Sequence, residues 1–300
     1  MMLSFMKSLS SLSLLAAWAQ SMAVDTSSLN ARDNERSIYS RAHALGKEMR
    51  DTWPESTRSL SARQAQASTS LPQYLWDNNP DLVARFMNNS FVWTQATTTS
   101  DANDDAFRFY SLQDYHYLID YTQYKSIKMG SFPIVNTSAL FEVVEDQSKS
   151  IHDDVDYIAA FKSEIINDLG ISADTVDQCE RNSAEAGYAN WLQRNSQLDW
   201  YTMNVMMIPC IWGWPRLAQS LQNNNETLTG TLFYNHWISE NNDTSYADNL
   251  EDTLNQYHDQ YDSPINREIW NAVFRQALKF EIGLFESANG MKPADCISTD

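Results

Sequence analysis

The chain is poor in the residues that interrupt regular secondary structure. Glycine and proline each occur 8 times in 300 residues, about 3% apiece against usual frequencies near 7% and 5%. Short alternating runs joined by paired turn dipeptides are scarce, which disfavours sheet-rich folds. Apolar residues instead recur at steps of three and four along most of the chain, a spacing that places them on one face of a helix. We therefore predict an all-α fold.

Several familiar catalytic and cofactor motifs are also missing. The sequence contains no G-x-S-x-G, no glycine-rich phosphate loop and no C-x-x-C, so esterase, nucleotide-binding and zinc-ribbon functions lack support. Its five histidines form no H-x-x-x-H or E-x-x-H pair, which removes the usual carboxylate–histidine metal site of helical bundles. We therefore expect neither a metal ion nor another cofactor.

Basic residues are in deficit, with 21 Lys and Arg against 39 Asp and Glu and a formal net charge of -18. A nucleic-acid-binding surface needs clustered Lys and Arg, and a membrane-surface helix needs a basic face. The sequence has neither feature. We therefore expect no nucleic-acid partner and no membrane partner, and we attribute the acidic excess to solubility and helix capping.

The first 23 residues have the pattern of a secretory signal peptide. Lys7 precedes an apolar stretch at residues 12–19, and the small-x-small sequence Ser21-Met22-Ala23 follows it. An uncleaved membrane anchor is the alternative, but the apolar stretch is shorter than the roughly 20 residues that a bilayer span needs. We therefore predict cleavage near residue 23 and secretion of the remaining chain.

Two further features concern a secreted chain. Four N-x-S/T sequons predict a surface glycoprotein, and they begin at Asn88, Asn136, Asn225 and Asn242. The three cysteines leave at least one thiol unpaired within the molecule. Cys210 lies in an apolar helical stretch, whereas Cys179 and Cys296 lie in polar segments. A Cys179–Cys296 disulfide fits these positions, but the sequence alone does not fix the connectivity.

A change in composition divides the chain. Residues 24–69 are rich in Ser, Thr, Arg, Gln and Asn, which predicts a polar, partly disordered extension. Aromatic and aliphatic residues are dense from about residue 70 onward, so we predict one helical domain at 70–300 that ends in a short tail. Within a bundle of six to eight helices, the pattern places six at about 80–92, 105–128, 151–169, 184–222, 245–257 and 264–287. A break or kink is expected at Asn204 or Pro209.

Three of these helices each place one polar residue within an apolar stripe. The first stripe reads Phe107, Tyr110, Asp114, Tyr117, Tyr121, Tyr124. Cys210 and Glu281 interrupt two further stripes in the same way. A thiol, two carboxyls and tyrosines are suited to covalent catalysis with general acid and base. Taken singly, each has a structural explanation, because a buried cysteine is usually inert and a helix carboxylate can lie at a solvated edge.

Four motifs follow one another between about residues 80 and 288. They are Phe109-Tyr110-Ser111-Leu112-Gln113-Asp114-Tyr115-His116-Tyr117-Leu118, Met207-Ile208-Pro209-Cys210-Ile211-Trp212-Gly213, Tyr234-Asn235-His236-Trp237-Ile238, and Phe274-Arg275-Gln276-Ala277 through Glu281 to Phe285. In this order they resemble the YYxLQDxxYL, LLPCxWxY, YxxWI and FxxAxxxExxFW segments of the TenA/thiaminase II family. The resemblance implies a haem-oxygenase-like helical bundle that hydrolyses a C–N bond of thiamine or of an aminopyrimidine. It also implies a small heteroaromatic substrate and a homo-oligomer. Haem itself is not expected, because the first helix offers no axial histidine.

The resemblance assigns roles residue by residue. Cys210 would be the nucleophile, Glu281 the proton donor and acceptor, and Asp114 the group that holds the pyrimidine amino group and ring nitrogen. Tyr117 and Tyr188 would orient the substrate through their hydroxyls. These roles fall on the same three polar residues that interrupt the apolar stripes.

The chain also departs from the family pattern. Trp214 stands four residues after the cysteine where the family has tyrosine, Asn241 replaces the tyrosine that follows YxxWI, and Leu284 replaces a phenylalanine. With Tyr110, the residues Trp214 and Asn241 complete the predicted substrate-binding set. These changes around a retained Asp, Cys and Glu favour the same chemistry on an altered substrate. A tailoring enzyme for a secondary metabolite and a non-catalytic secreted binder of a heterocycle stay open as alternatives.

Overall fold

The computed structural model of the chain describes residues 70–133 and 137–297, without the side chains of residues 137–139. These residues form helices and turns with one isolated β-bridge, between Cys179 and Ile297, which confirms the predicted all-α class. The predicted signal peptide, the predicted extension at 24–69 and the Asn136 sequon lie outside the described residues. Within the described part, no helix has the length and apolar character needed to cross a membrane.

The described residues contain eleven α-helices, which we number in chain order. They are α1 (Leu71–Asp77), α2 (Pro80–Met87), α3 (Ser90–Thr97), α4 (Asp101–Gly130), α5 (Thr137–Asn167), α6 (Ala173–Gln178), α7 (Ser183–Arg194), α8 (Trp200–Val205), α9 (Trp214–Gln222), α10 (Ser245–Tyr261) and α11 (Pro264–Glu286). Two π-helical segments, Ile208–Gly213 and Tyr234–Ile238, precede and follow α9, and short 3-10 turns lie at Glu240–Asn242 and Pro293–Cys296.

Side-chain caps fix the starts of the long helices. Ser100, Asn182 and Ser263 each accept a hydrogen bond from the backbone N–H three residues later, at 3.1, 2.9 and 3.1 Å. These bonds satisfy donors that the first turn of a helix leaves free. Pro264 occupies the first position of α11, where its missing N–H costs nothing. Capping chemistry therefore sets where α4, α7 and α11 begin.

The predicted helix at 184–222 is wrong as a single element. The structure divides it into α7, α8, the first π-helical segment and α9. The first break follows Arg194, and the new helix begins where the Asp199 carboxylate accepts the backbone N–H of Thr202 at 2.9 Å. A second break follows Val205, next to the predicted position. The capping aspartate therefore starts a new helix within a region whose apolar spacing predicts one continuous helix.

Other helix boundaries also differ from the predictions. The helix predicted at 151–169 begins earlier, at Thr137, and the helix predicted at 80–92 is divided into α2 and α3. Helix α1 has no counterpart among the predicted helices. The early part of α5 is mostly exposed, with side chains such as Phe141 and Val144 in solvent. Its apolar periodicity is therefore weak there, because little of that surface is buried against the bundle.

The core is rich in aromatic rings, and Phe285 of α11 lies near its centre. Its ring is 5.4 Å from that of Tyr110, 6.3 Å from Phe91, 6.1 Å from Trp214 and 5.7 Å from Trp237. These partners come from α4, α3, α9 and the second π-helical segment. Truncation of such a buried ring to alanine typically costs about 3–5 kcal/mol, so this packing holds the elements that surround the site.

The cysteines and three of the four sequons lie within the described residues. Cys179 and Cys296 form a disulfide with a Cα–Cα distance of 4.9 Å, and Cys210 is left as a free thiol. The side chains at Asn88 and Asn225 are exposed, whereas Asn242 is half-buried. Glycosylation of these asparagines stays a prediction.

Candidate active site

Asp114 lies near the middle of α4 and is 6% exposed. Its Oδ1 atom has no hydrogen-bond partner among the described residues. Burial raises the pKa of this carboxyl to about 8, and the charge of Glu281 adds to the shift. A buried carboxyl with an unpartnered oxygen is neutral or bound to a ligand, because the ionised form is costly to bury alone.

Glu281 of α11 is 1% exposed and has both oxygens occupied. The Tyr188 hydroxyl donates to Oε1 at 2.7 Å, and the Trp214 indole N–H donates to Oε2 at 2.8 Å. Burial raises the pKa of Glu281 to about 7, and these two hydrogen bonds limit the rise because they favour the ionised form. Glu281 can therefore both give and take a proton near neutral pH.

Cys210 lies in the first π-helical segment, one residue after Pro209. Such segments are rare and occur often at functional sites. The residue as a whole is partly exposed, but its thiol faces buried groups. Burial raises the thiol pKa well above its ordinary value, and the charges of Glu281 and Asp114 raise it further. The three residues therefore lie close enough for their charges to interact, and the resting thiol is protonated.

The predicted tyrosines border the same place. The rings of Tyr117 and Tyr188 are 4.9 Å apart, and Tyr188 stacks on Phe280 at 5.1 Å with an interplanar angle of 8°. Burial raises the pKa of both phenols well above 10, so both hydroxyls stay protonated. The hydroxyls of Tyr117 and Tyr110 have no hydrogen-bond partner among the described residues. We call Asp114, Cys210 and Glu281, together with these three tyrosines, the carboxyl–thiol cluster.

Two tryptophans border this cluster in different ways. The indole N–H of Trp214 donates to Glu281, and the predicted contact of Trp214 with substrate stays a prediction. Trp237 was not among the predicted site residues, and its indole N–H has no partner within the described part of the chain. Trp237 belongs to the motif at residues 234–238, but nothing in that motif distinguishes a ligand-binding tryptophan from one in the core.

Asn241 does not join the cluster through its amide. Its Nδ2 atom donates to the backbone carbonyl of Trp237 at 2.9 Å. The predicted contact of Asn241 with substrate stays a prediction. The asparagine holds the segment that carries Trp237.

The arrangement can support proton transfer and nucleophilic attack. A thiol lies beside a carboxyl that is half ionised near pH 7, and a second, mostly neutral carboxyl lies nearby with hydroxyl groups. The described residues contain no group of three His, Cys, Asp or Glu side chains arranged to hold a metal ion. The unpartnered oxygens of Asp114, Tyr110 and Tyr117 provide both donors and acceptors for a bound ring.

Solved structures of TenA proteins share this fold. A TenA homologue from P. horikoshii OT3 aligns with a TM-score of 0.61 and 16% identity over 74% of this chain and 99% of that one. A TenA homologue from Pyrococcus furiosus aligns with a TM-score of 0.59 and 19% identity over 72% and 98%. A protein named a TenA-like thiaminase, from Sulfolobus solfataricus P2, aligns with a TM-score of 0.53 and 19% identity over 73% and 96%.

No curated protein sequence matches the chain. A model of the TENA/THI-4/PQQC family does match, over residues 95–287. The match includes α4, both π-helical segments and α11, and with them every member of the carboxyl–thiol cluster. Since it spans more than half of the 300 residues, this chain belongs to the TENA/THI-4/PQQC family.

Proposed function

We propose that this protein is a hydrolase that cleaves a C–N bond of thiamine, an aminopyrimidine or a related heteroaromatic amine through the Cys210 thiolate. The main supporting observation is the setting of Glu281, a buried carboxyl with a pKa of about 7 whose charge reaches the Cys210 thiol. Membership of the family supports the same chemistry. The neighbour from S. solfataricus is named a thiaminase, which agrees with this substrate class.

Each group has a defined task in the proposed reaction. Asp114 holds the amino group and a ring nitrogen of the substrate. Because the resting thiol is protonated, Glu281 accepts the proton from Cys210 as the sulfur adds to a ring carbon. The ring double bond shifts to the exocyclic methylene carbon and its C–N bond breaks; an amine leaves with a proton from Glu281, whereas the thiazolium of thiamine leaves as neutral thiazole. Water then adds to the methylene carbon and gives up a proton to a base such as Glu281, the ring double bond re-forms, and the C–S bond breaks, so that the hydroxymethyl product is released and the Cys210 thiolate takes up a proton again.

The first test replaces Cys210 by alanine. Purified wild-type protein and Cys210→Ala are incubated with thiamine and with aminomethyl-pyrimidine, and mass spectrometry detects the hydroxymethyl-pyrimidine product. We expect product from the wild type and a loss of at least about 10³-fold in the variant, because the nucleophile is gone. Thermal melting of both proteins serves as the folding control. Full activity in Cys210→Ala would rule out the covalent mechanism.

A non-catalytic binder is the second candidate, because the raised pKa of Cys210 leaves the resting thiol unreactive. A binder needs only the aromatic walls and the unpartnered polar atoms. The rate of iodoacetamide labelling against pH, with and without a bound heterocycle, separates the two. If the protein is a binder, a bound heterocycle should not shift the pH at which labelling of Cys210 rises. If it is a hydrolase, bound substrate should shift that rise to lower pH.

Trp214 and Asn241 favour a third possibility, a tailoring enzyme that acts on a different heterocycle with the same cluster. Both replace tyrosines of the family pattern, so the shape and donors of the binding site differ from those of its relatives. Turnover of thiamine or aminopyrimidines at ordinary rates would contradict it.

We further propose that the chain is exported, cleaved near residue 23 and glycosylated. The exposed side chains of Asn88 and Asn225 can accept glycans without disturbing the core. The Cys179–Cys296 disulfide agrees with an oxidising compartment. N-terminal sequencing of the chain recovered from culture medium checks the cleavage, and an uncleaved N-terminus would contradict it.

A further inference from the structure

Two side-chain hydrogen bonds join the region of α7 to that of α11. The Tyr188 hydroxyl of α7 donates to Oε1 of Glu281 on α11 at 2.7 Å. Asn182, which caps the start of α7, donates from Nδ2 to Oγ of Ser287, the residue that follows α11, at 3.0 Å. Asn182 lies six residues before Tyr188, and Ser287 lies six residues after Glu281. The two helices are therefore antiparallel, and the two bonds hold them in one register, about 9 Å apart along the helix axes.

Asn182 also bonds to α4 and to the first turn of α7. Its backbone N–H donates to Oε1 of Gln113 on α4 at 2.8 Å, and its side-chain oxygen accepts the backbone N–H of Glu185 at 2.9 Å. Gln113 is 1% exposed and is the chain neighbour of Asp114. One residue thus has hydrogen bonds to the three helices that carry both carboxyls of the carboxyl–thiol cluster and the hydroxyl that donates to one of them.

Between the two bonds, α7 and α11 meet through an aromatic surface. Tyr188 stacks on Phe280 at 5.1 Å with an interplanar angle of 8°, and a Cβ atom at Gly187 would lie 3.6 Å from the Phe280 ring. Apolar contact of this kind is non-directional, so it keeps the helices together but resists sliding only weakly. A hydrogen bond weakens steeply when its distance or angle changes. The Asn182–Ser287 bond is therefore the contact that best opposes sliding of α7 along α11.

We propose that Asn182 is a positioning residue that fixes α7 against α11 and so holds the Tyr188 hydroxyl on Glu281. The inference rests on the proposed function, in which Glu281 transfers the protons, and it adds a residue that acts through Tyr188 from outside the carboxyl–thiol cluster. The hydrogen bond from Tyr188 favours the ionised carboxylate, so the pKa of Glu281 rises when this bond is loosened. Asn182 thereby sets the pH at which Glu281 gives and takes a proton.

The ionisable groups whose charges interact with Glu281 lie on three elements other than its own. They are Asp114, Tyr110 and Tyr117 of α4, Tyr188 of α7, and Cys210 of the first π-helical segment. From α9, the Trp214 indole donates a hydrogen bond without being ionisable. Asn182 and Ser287 are not ionisable either, so a neutral replacement adds no charge to this set. A change in the pKa of Glu281 in such a variant therefore reports a change in geometry.

Asn182→Ser tests the link. Serine caps a helix about as well as asparagine, so α7 keeps its start, but serine lacks the amide group that donates to Ser287. The pKa of Glu281 is measured in the full-length protein from the ¹³C signal of its carboxyl group against pH, and the signal is assigned by its loss in Glu281→Gln. We expect Asn182→Ser to raise this pKa by about one pH unit, within the effect of one hydrogen bond to a charged group.

The kinetic consequence follows from the ionised fraction of Glu281. At pH 7 this fraction should fall from about a half to about a tenth, and the ionised form is the one that accepts the proton from Cys210. We therefore expect kcat with aminomethyl-pyrimidine to fall about fivefold and KM to change by less than about twofold, since substrate binding does not use the link.

Three further variants test whether Asn182 acts through Tyr188. Tyr188→Phe removes the hydroxyl and should raise the pKa of Glu281 at least as much as Asn182→Ser does. Adding Asn182→Ser to Tyr188→Phe should raise it no further, because both changes remove the same interaction. Ser287→Ala breaks the link from the side of α11 and should match Asn182→Ser, so it replaces that variant if Asn182→Ser does not fold.

Asn89→Ser is the matched control. Asn89 also caps a helix, α3, and its side-chain oxygen accepts the backbone N–H of Phe91 at 3.0 Å. Its amide nitrogen, however, has no partner among the described residues. The change thus removes an amide group from a helix start without breaking a bond between two helices. The pKa of Glu281 should stay at the wild-type value in this variant.

The outcomes separate this inference from the proposed function. The positioning role is overturned if the pKa of Glu281 is unchanged in Asn182→Ser and Ser287→Ala, if Asn89→Ser raises it equally, or if Asn182→Ser still raises it in the Tyr188→Phe background. Product formation by the wild type with any of these results leaves the proposed function standing. If the wild type forms no product but the pKa rises as expected, the proposed hydrolysis falls and the positioning of Tyr188 by Asn182 stands.

Discussion

Helix α4 carries buried polar groups at two places, and the two places differ in how those groups are satisfied. Near its middle, Asp114 has an oxygen without a partner. Near its C-terminus, Lys128 donates to the Asn204 side chain at 2.8 Å, and Lys125 lies 2.6 Å from a carboxylate oxygen of Asp154. All of this occurs on one helix and in one core. We call Asp114 with its neighbours Cys210 and Glu281 the aspartate end of this comparison, and Lys125 with Lys128 the lysine end. The lysine end has protein partners for its charges, while the aspartate end has an oxygen without one.

Burial moves both ends toward their neutral forms. It raises the pKa of Asp114 to about 8, and it lowers the pKa of Lys128 to about 7 with help from the neighbouring charge of Lys125. A perturbed pKa therefore does not by itself identify a functional group in this protein. The difference between Lys128 and Asp114 is that the Lys128 ammonium has a hydrogen-bond partner and the Oδ1 atom of Asp114 does not.

The largest effect should come from Glu281→Gln, which tests whether the aspartate end serves chemistry. Glutamine keeps the shape of the side chain but cannot transfer a proton, so we expect kcat/KM to fall by about 10²–10⁴-fold. The melting temperature should change little, because a buried carboxyl is replaced by a neutral amide. Steady-state kinetics and thermal melting measure the two quantities. If Glu281→Gln instead lost much stability and kept its kinetics, the aspartate end would be the structural one.

An intermediate effect is expected at the lysine end, from Asn204→Leu. This change leaves the buried Lys128 ammonium without its acceptor, which should lower the free energy of unfolding by about 2–3 kcal/mol. Lys128→Met removes donor and charge together and should cost less, so it is the matched control. Urea denaturation measures both. Turnover per folded molecule should stay at the wild-type value, and loss of turnover in both variants would show that this cluster is functional.

The smallest effect, taken per unit of pH, is the dependence of stability on pH, which has opposite signs at the two ends. The folded pKa of Asp114 is raised, so the folded state holds a proton that the unfolded chain releases between about pH 4 and 8, and stability falls as pH rises through this window. The folded pKa of Lys128 is lowered, so stability rises with pH from about 7 to 10. Each group contributes at most about 1.4 kcal/mol per pH unit.

Asp114→Asn should therefore flatten the fall between pH 4 and 8, and Lys128→Met should flatten the rise above pH 7. Urea denaturation at single-unit pH steps measures both slopes. Part of the fall in stability between pH 4 and 8 should remain in Asp114→Asn, because the pKa of Glu281 is also raised, to about 7. If neither variant changes the slope of unfolding free energy against pH, other ionisable groups determine how stability depends on pH.

The sequence predicts the chemical centre better than its surroundings. Asp114, Cys210 and Glu281 each interrupt an apolar stripe, a position that favours burial, and the structure buries Asp114 and Glu281. The fold class follows from the same periodicity. The partners of these residues do not follow, because a hydrogen bond between α9 and α11, such as that from Trp214 to Glu281, depends on how two helices cross.

Other features have no usable signal in one sequence. Trp237 reads as a core aromatic, and only the structure shows that its N–H lacks a partner. Lysine is almost never fully buried, so no pattern in the sequence identifies Lys125 and Lys128 as buried. The break before α8 depends on one capping aspartate in a continuous apolar period, so periodicity alone gives one long helix.

The disulfide has a consequence for the integrity of the molecule when a protease cuts the chain. Cys179 and Cys296 are 117 residues apart in the chain, and the segment between them includes Tyr188, Cys210 and Glu281. This segment is a covalent ring, so a protease that cuts once in the exposed turn after α9 opens the ring without releasing a fragment. The nicked protein stays one molecule, and its two new ends remain tethered to the same core. The bond thus keeps the part of the domain that carries Cys210 and Glu281 attached after a first proteolytic cut.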